Sequence, residues 1–457
     1  MATFHRESEM PCSADDLYRW HARRGAFLRL APPWQVLEPV EAHGGIEDGA
    51  RRIFRIHNGP VALTWEALHK DHIKGEQFVD EQVRGPFSTW RHLHRFEPVG
   101  EQQSKLVDHV DYKLPMGALG KAFGAKKTEK MLAQMFAFRH QRTGDDLRRH
   151  SSYDTTLRVA ITGASGLIGS ALTAFLRTAG HEVIELVRDH DDVGEHKIYW
   201  SPKGGQIDKT GLENLDAVVH LAGENVAGRW TDKKRARIVD SRVQGTELLS
   251  RTLTELDEPP GVFLSASGIG YYGDTGSDIV DEEGAAGTQF LSTVCQRWER
   301  ATEPAAAAGI RTVLLRLGVV LTPQGGALEQ MLRAVRLGLA SRLGAGDQFI
   351  SWIDIDDAIA AIEFLLGADD IAGPVNITAP EAVQNAALLD TIADVLSRPN
   401  FVAVPAAAMK LAMGSQFIDE TALASQRARP TRLEEAGFEF FYADLEQSLS
   451  MKLGGLS

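Results

Sequence analysis

A glycine-rich segment carries the clearest chemical signal in this sequence. Gly163, Gly166 and Gly169 are spaced three residues apart in the run TGASGLIG. Glycine has no Cβ atom, so a backbone built from it can turn tightly and approach a ligand closely. A helix that begins in such a loop directs free N–H groups and the positive end of its dipole at an anion. The pattern therefore predicts a cradle for a pyrophosphate group.

The residues on either side of the glycines predict the elements that position them. An apolar run, 157–162 (LRVAIT), precedes the glycines and is typical of a buried strand. Apolar residues at helical spacing follow up to Ala179, Gly180 ends that helix, and HEVIELVR predicts a second strand. A glycine loop inside a βαβ unit is the arrangement that binds a dinucleotide. The cofactor-binding residues predicted here are Gly163, Ser165, Gly166, Leu167, Ile168 and Gly169.

The end of the second strand bears on which dinucleotide is bound. An NAD site usually has Asp or Glu at that position to hold the ribose hydroxyls. Here the position is Val187, followed by Arg188. A guanidinium group can hold a 2′-phosphate through paired charge-assisted hydrogen bonds, whereas a carboxylate would repel it. The sequence therefore favours NADP(H) over NAD(H); the alternative is that Asp189 serves the ribose and Arg188 is a solvated surface residue.

Further alternation of strands and helices predicts the rest of this region. The run LDAVVHLAG predicts a buried strand that ends in small residues, and TDKKRARIVD begins a long helix with Thr231 as its N-cap. The runs VFLSAS and RTVLLRLGVVL predict two more strands. Such alternation is typical of an α/β Rossmann fold with a doubly wound parallel sheet. Ligands bind beyond the carboxyl ends of those strands, so the predicted cofactor contacts also include Leu221, Ala222, Gly223, Glu224 and Ser267.

Several of these motifs together resemble the short-chain dehydrogenase/reductase superfamily in its extended, epimerase-like form. Within it, residues 157–457 resemble a family of NAD(P)-dependent epimerase-like proteins of unknown substrate. The markers are LAGENVAGRW, SRVQGT, SASGIGYYG, LRLGVVLTPQGGAL, SWIDIDD and PVNITAP. That family ends in a small domain of unknown function, which the segment from VPAAAMKLAMGSQ to RPTRLEEAGFEFFYADLEQSL resembles. The resemblance implies a dinucleotide cofactor and a small-molecule substrate.

The resemblance also implies a catalytic Tyr-x-x-x-Lys pair, and here the sequence departs from the pattern. The equivalent helix reads FLSTVCQRWERAT, which places Cys295 at the Tyr position and Glu299 at the Lys position. We predict that the chain has no Tyr-x-x-x-Lys pair. Ser267 matches the superfamily's active-site serine, and Tyr271 and Tyr272 follow in a glycine-flanked loop. The predicted catalytic residues are these three; the alternative for the tyrosines is that they pack under the nicotinamide or close the loop.

Charge divides the chain into unlike parts. Residues 1–150 contain 23 Lys and Arg against 20 Asp and Glu, a net charge of +3, and 11 of the 15 histidines. The remaining residues therefore contain 49 − 23 = 26 basic and 62 − 20 = 42 acidic residues, a net charge of −16. We predict a first domain over 1–150, a linker over 150–156, a Rossmann domain over 156–375 and a C-terminal cap domain over 376–457.

The first 150 residues predict an α+β domain. An alternating strand, a helix start at Ser13, several β-type runs separated by turns, and a long closing helix follow one another. This order resembles the helix-grip domains of the START/polyketide-cyclase-like superfamily, and the resemblance implies a cavity for an apolar ligand. The alternative is that the stripe on the closing helix only fills a core; its residues are Met131, Leu132, Met135, Phe136 and Phe138.

Two groups of residues raise the question of a metal site. His92 and His94 alternate along one predicted strand, which puts both rings on one face. His69 and His72, however, are spaced oddly for a strand, no Cys or carboxylate cluster accompanies these histidines, and we expect them to face solvent. Asp354, Asp356 and Asp357 precede an apolar helix, where carboxylates cap the first turn and complement the dipole. We therefore predict no metal site.

Composition excludes other classes of protein. The two cysteines lie far apart and belong to no Cys/His cluster, which argues against a disulfide framework. No run approaches the length of a membrane span, the start lacks the apolar core of a secretory signal, and a net charge of −13 disfavours nucleic-acid binding. We expect a cytoplasmic protein whose oligomeric state the sequence leaves open. Two hypotheses remain: an NADP(H)-dependent oxidoreductase or epimerase, and a non-catalytic sensor or ligand carrier that kept only the cofactor site.

Overall fold

The computed structural model describes residues 1–59, 61–115, 117–151, 155–338, 342–399 and 403–455. The chain separates into two compact units. The first comprises Met1–Thr156, Ala174–Gly180 and Ser450–Ser457, and the second comprises Leu157–Thr173 and His181–Leu449. Residues 152–154 of the predicted linker lie outside the described residues.

The N-terminal part of the chain folds into a seven-stranded antiparallel sheet and a long helix. Its strands follow the spatial order β1-β7-β6-β5-β4-β3-β2, a meander in which the first strand returns beside the last. This architecture is that of a helix-grip domain, as predicted. Strand β2 was not predicted, because Pro39 and a bulge interrupt its alternation. The elements are β1 (Ala2–Met10), α1 (Ala14–Ala22), α2 (Ala26–Arg29), β2 (Val36–His43), β3 (Arg51–Asn58), β4 (Val61–Ile73), β5 (Gln77–Arg84), β6 (Thr89–Gly100), β7 (Gln103–Lys113) and α3 (Gly117–His150).

Apolar side chains pack between this sheet and α3. One cluster contains Trp65, Trp90 and Tyr112 from the sheet together with Leu132 and Phe136 from α3. The predicted stripe on the helix therefore contributes to a core, although its first member is exposed: 38 % of the Met131 side chain is accessible to solvent.

The expectation that His92 and His94 face solvent is wrong. Only 1 % of His92 and 6 % of His94 is accessible. Successive side chains of a strand point to opposite faces, so His92 and His94 share the face of Trp90 and Phe96, which is the buried face of β6. Trp90 and Phe96 require the apolar side of the sheet, and the two histidines between them are buried as a consequence.

The C-terminal two thirds of the chain contain the doubly wound fold. The elements are β8 (Arg158–Thr162), α4 (Leu167–Ala179), β9 (Glu182–Val187), β10 (Lys197–Ser201), β11 (Gln206–Ile207), β12 (Ala217–His220), α5 (Asp232–Leu253), β13 (Val262–Gly268), β14 (Ile279–Val280), α6 (Phe290–Arg300), α7 (Glu303–Ala307), β15 (Arg311–Leu317), β16 (Val319–Leu321), α8 (Gly326–Arg336), β17 (Phe349–Ile350), β18 (Trp352–Asp354), α9 (Ile355–Gly367), β19 (Gly373–Ile377), β20 (Val383–Gln384), α10 (Asn385–Val395), α11 (Ala406–Met413), α12 (Ser415–Glu420), β21 (Arg427–Ala428), α13 (Thr431–Glu435) and α14 (Leu445–Leu453).

The main sheet has the strand order β11-β10-β9-β8-β12-β13-β15-β19, in which all strands are parallel except the two-residue edge strand β11. The chain reverses its direction across the sheet between β8 and β12, and ligands of such sheets bind at that switch point. Two predicted helix caps are present: the Thr231 side chain accepts a hydrogen bond from the Lys234 N–H, and the Asp354 side chain accepts one from the Asp356 N–H. Within the described residues no helix is long and apolar enough to cross a membrane.

Candidate functional site

The glycine loop joins β8 to α4 and is too crowded for side chains. Gly163 adopts φ +72°, a conformation that side chains disfavour, and a Cβ atom there would lie 2.9 Å from the backbone nitrogen of Ala222. A Cβ atom on Gly166 would lie 3.1 Å from the Gly163 carbonyl oxygen, and one on Gly169 would overlap that oxygen. The loop therefore exposes bare backbone directly before the first turn of α4, and that turn begins at Leu167.

The end of β12 meets the glycine loop. The Thr162 hydroxyl oxygen accepts hydrogen bonds from the N–H groups of Leu221 (3.1 Å) and Ala222 (3.2 Å), and it lies 2.7 Å from His220 Nδ1. Burial lowers the pKa of His220 to about 3, so the ring is neutral and can accept the Thr162 proton. These contacts hold the backbone after β12 against the loop, where the sequence predicted that Leu221 to Gly223 contact the cofactor.

The charged residues at the predicted cofactor site differ in their exposure and in their hydrogen-bond partners. Arg188 follows the last residue of β9 and is exposed. The neighbouring Asp189 carboxylate accepts a hydrogen bond from the Asp191 N–H and caps a short helical turn. The Glu224 carboxylate forms an ion pair with Lys234 Nζ at 2.8 Å, and this hydrogen bond lowers the pKa of Glu224.

A row of polar residues crosses three neighbouring strands at the carboxyl edge of the sheet. Ser267 on β13 is paired in register with Arg316 on β15, and Arg316 is paired with Asn376 on β19. All three residues are buried. Because the register is set by the backbone ladder, the side chains of such a row meet on one face.

Glu299 of α6 connects this row. Arg316 donates two hydrogen bonds to its carboxylate, from Nε to Oε1 at 2.9 Å and from Nη2 to Oε2 at 3.0 Å. The Ser267 hydroxyl donates to the same carboxylate at 2.7 Å. Glu299, which the resemblance aligned with the superfamily's lysine, is thus paired with a buried arginine.

The two candidate tyrosines have different surroundings. The Tyr272 hydroxyl donates to Asn376 Oδ1 at 2.7 Å and accepts from Arg316 Nη1 at 3.0 Å. Burial raises the pKa of Tyr272 to about 12, against the opposing effect of Arg316. Tyr271 is only half-buried, and its ring lies under the Arg316 guanidinium, 3.5 Å from centroid to carbon. Tyr272 is therefore held by the polar row, whereas Tyr271 has no hydrogen bond recorded to its hydroxyl within the described part of the chain.

The surroundings of Cys295 disfavour the thiolate that a nucleophile needs. The thiol is buried, and burial raises its pKa to about 11, assisted by the nearby charge of Glu299. This agrees with a structural role for a cysteine at that position.

The prediction that the chain has no Tyr-x-x-x-Lys spacing is wrong for the sequence as a whole. Tyr199 and Lys203 have this spacing, in KIYWSPK. Tyr199, however, lies in β10 and Lys203 in the turn Pro202–Gly204 that follows it. The catalytic pair of the superfamily lies on one helix, and the helix at the equivalent place here is α6.

Arg316 and Arg242 are the site residues that sequence reasoning missed. The sequence does contain a signal for Arg316, because a single arginine within the apolar strand LLRL must find a buried acceptor. Arg242 on α5 donates to the Glu224 carbonyl oxygen at 2.9 Å and stacks over the Trp298 ring at 4.8 Å. Its position beside Gly223 follows from the packing of α5 on α6 and not from any local pattern.

Comparison with protein families assigns each part of the chain. Residues 159–378 match the NAD dependent epimerase/dehydratase family. Residues 404–450 match a domain of unknown function, DUF1731, and residues 10–136 match the polyketide cyclase / dehydrase and lipid transport family.

Individual proteins show the same likeness. The chain is 42 % identical over 292 residues to the epimerase family protein Mb2239 of Mycobacterium bovis, which covers 64 % of this chain and 96 % of the relative. A crystal structure of a nucleoside-diphosphate sugar epimerase from Corynebacterium glutamicum superposes with a TM-score of 0.81 at 33 % identity, covering 99 % of this chain and 91 % of that one. The structure of the human epimerase family protein SDR39U1 (isoform 2) with NADPH superposes with a TM-score of 0.61 at 32 % identity, covering 66 % of this chain and all of that one.

Proposed function

The chain belongs to the NAD dependent epimerase/dehydratase family, and on that basis we propose that it binds NADP(H) and acts on an unidentified small molecule as an oxidoreductase or epimerase. The observation that carries this proposal is the glycine cradle. Gly163 and Gly169 tolerate no side chain, Gly166 leaves little room for one, and the loop leads directly into the N-terminus of α4. A pyrophosphate group fits such a surface because backbone N–H groups can approach it closely.

The surroundings of Arg188 and Asp189 support the choice of NADP(H). Asp189 is the residue that could serve an NAD ribose, but its carboxylate is engaged in capping the turn that follows. Arg188 is exposed, and its guanidinium can hold a phosphate at this strand end. The human relative is described with NADPH.

The polar row suggests how the residues of this chain would handle a proton. When bound, the nicotinamide supplies or accepts a hydride. The Ser267 proton is directed at Glu299, so the serine oxygen offers its lone pairs to a substrate hydroxyl. A proton received there can pass to the Glu299 carboxylate, while Arg316 holds that carboxylate in place. Of the two tyrosines, Tyr271 is the one we assign to the substrate, because the hydroxyl of Tyr272 is engaged on both sides.

The alternative function is a non-catalytic sensor or ligand carrier. It is favoured by the Glu299–Arg316 pair, because the resemblance places the superfamily's lysine at the position of Glu299, and a carboxylate has the wrong charge to lower a tyrosine pKa as that lysine does.

The cofactor assignment is tested by measuring NADPH and NADH affinities by calorimetry. The wild-type protein should prefer NADPH. Arg188→Ala should weaken NADPH binding by roughly 10- to 100-fold, from the loss of charge-assisted hydrogen bonds, and leave NADH binding unchanged. Arg251→Ala, on the exposed surface of α5, is the matched control. Equal affinities for the two cofactors in the wild-type protein would refute the preference for NADP(H).

Catalysis is tested with NADPH deuterated at C4. The protein is incubated with a fractionated metabolite extract, and mass spectrometry follows deuterium into any product. Transfer that Ser267→Ala abolishes, with NADPH affinity retained, supports the oxidoreductase. NADPH binding without transfer to any fraction supports the sensor.

A further inference from the structure

The N-terminal domain contains a buried cluster of histidines and aspartates that is separate from the cofactor site. Asp80 lies on β5, His92 and His94 on β6, and Asp108 on β7. The strand register pairs Asp80 with His92 and His94 with Asp108. All four side chains therefore project from the same face of the sheet, which is the face that packs against α3. The premise that no carboxylate accompanies these histidines is wrong, because their carboxylates come from the two neighbouring strands.

Three ligand atoms of this cluster converge on one point. Asp80 Oδ2 lies 3.0 Å from His92 Nδ1 and 3.1 Å from His94 Nε2. The three atoms lie within 4.8 Å of one another. Separations of about 3 Å between donor atoms match the edges of a coordination polyhedron whose metal–ligand bonds are about 2.1 Å long.

The remaining atoms of the cluster are arranged as an outer shell. The other ring nitrogens, His92 Nε2 and His94 Nδ1, lie 2.8 and 3.0 Å from the same oxygen, Asp108 Oδ1. The other oxygen of Asp80 accepts a hydrogen bond from Trp90 Nε1 at 3.3 Å. Histidines that bind metals commonly donate their second N–H group to a carboxylate, which fixes the ring orientation and leaves the first nitrogen free to coordinate.

Charge favours a cation at this point. Asp80 and Asp108 are two carboxylates in a largely buried cluster, and such charges need compensation. One divalent cation bound here would compensate the charge of both carboxylates.

We propose that Asp80, His92 and His94 bind one divalent transition-metal ion of the Zn²⁺ class, with Asp108 orienting both histidines. Two imidazole nitrogens and one carboxylate oxygen form a donor set that suits Zn²⁺, Co²⁺, Ni²⁺ or Fe²⁺, whereas Mg²⁺ and Ca²⁺ prefer oxygen ligands throughout. Three protein ligands leave at least one coordination position for water or another small ligand.

A polar cavity of about 740 Å³ lies beside the cluster. Ser8 and His140 line it, and His140 connects them to the site: its Nδ1 lies 2.9 Å from Ser8 Oγ, and its Nε2 lies 2.8 Å from Asp108 Oδ2. The orienting carboxylate of Asp108 is therefore connected through His140 to the lining of this cavity.

The test uses the full-length protein without an affinity tag, stripped with EDTA and titrated with Zn²⁺, Co²⁺ or Mg²⁺. We expect one Zn²⁺ or Co²⁺ per chain, the visible ligand-field absorption of Co²⁺, and no Mg²⁺ binding. Asp80→Asn and His94→Gln should each weaken Co²⁺ binding by at least roughly tenfold. His109→Gln is the matched control, because His109 lies on β7 with 39 % of its side chain exposed.

The proposal is overturned if the wild-type protein binds neither Zn²⁺ nor Co²⁺ stoichiometrically, or if both site variants bind as the wild-type protein does. If the variants fail to fold, X-ray absorption at the zinc edge of the Zn²⁺-loaded wild-type protein tests the site instead. A shell with two imidazole nitrogens supports the site, and a shell without imidazole refutes it. NADPH affinity is measured in parallel, so a failure of this site is distinguishable from a failure of the cofactor assignment.

Discussion

Replacing Arg316 with methionine tests whether the polar row depends on the pairing of one cation with one anion. Arg316→Met keeps much of the aliphatic stem and removes the guanidinium. The side chains of Arg316 and Glu299 are only 4 % and 10 % exposed. The substitution therefore leaves the Glu299 carboxylate buried, with the Ser267 hydroxyl as its remaining donor among the contacts described above.

The expected cost is large for a single substitution. Removing one partner of a buried ion pair destabilises proteins by about 3 to 5 kcal/mol, because the other charge is left uncompensated. Glu299→Gln alone likewise leaves the Arg316 guanidinium buried without its carboxylate partner. In the double variant Arg316→Met/Glu299→Gln neither charge remains without a partner. Its loss of stability should therefore be smaller than the sum of the losses in the two single variants by about 2 to 3 kcal/mol.

Hydrogen exchange measured by mass spectrometry suits this test, because it reports local stability in a chain with more than one unit. The peptides to follow cover β13 and β15. A loss of about 3 to 5 kcal/mol corresponds to a fall in amide protection of roughly 100- to 4000-fold. Arg251→Met is the matched control, because Arg251 on α5 is 66 % exposed and pairs with the exposed carboxylate of Glu247.

Two results would refute this reasoning. Additive costs in the double variant would mean that the two groups are not energetically coupled, whatever their separation in the structure. A cost for Arg316→Met no greater than that for Arg251→Met would mean that solvent reaches Glu299 and replaces the missing cation.

Three further predictions follow from the geometry of the same unit and from the two thiols. Gly169→Ala should abolish NADPH binding in calorimetry, because its Cβ would overlap a carbonyl oxygen of the loop, whereas Gly194→Ala, which has open space around it, should bind normally. Tyr272→Phe should lower the thermal midpoint, because it removes two buried hydrogen bonds worth about 1 kcal/mol each. The pH profile of any hydride transfer should stay unchanged below pH 10, because a hydroxyl whose pKa is raised to about 12 stays protonated there. A shifted profile would assign Tyr272 an acid–base role. Burial raises the pKa of both Cys12 and Cys295 to about 11, so a thiol reagent at pH 8 should react with neither in the native protein and with both after denaturation; rapid native reaction would contradict the described burial.

Local patterns were sufficient to predict much of the fold. The run LRVAITGASGLIG contains a strand, a turn that only glycine allows and a helix start, all within a few residues, and the structure has β8, the loop and α4 there. Thr231 and Asp354 marked helix starts for the same reason, since a cap bonds to backbone only two or three residues away. Strand β2 was missed because Pro39 and a bulge interrupt its alternation.

The sequence by itself determined most of the longer elements, the glycine cradle, and the placement of Ser267 near the end of one strand with Tyr271 and Tyr272 following it. Tertiary structure decided which of these groups bond to one another. Arg316 meets Glu299 and Ser267 only because β13 and β15 are neighbours in register and α6 packs over them. His92 and His94 meet their carboxylates in the same way, across strands separated by turns of the chain. The physical reason is that periodicity and capping act within a few residues, whereas buried charges are compensated by whichever partner strand pairing and helix packing bring within about 3 Å.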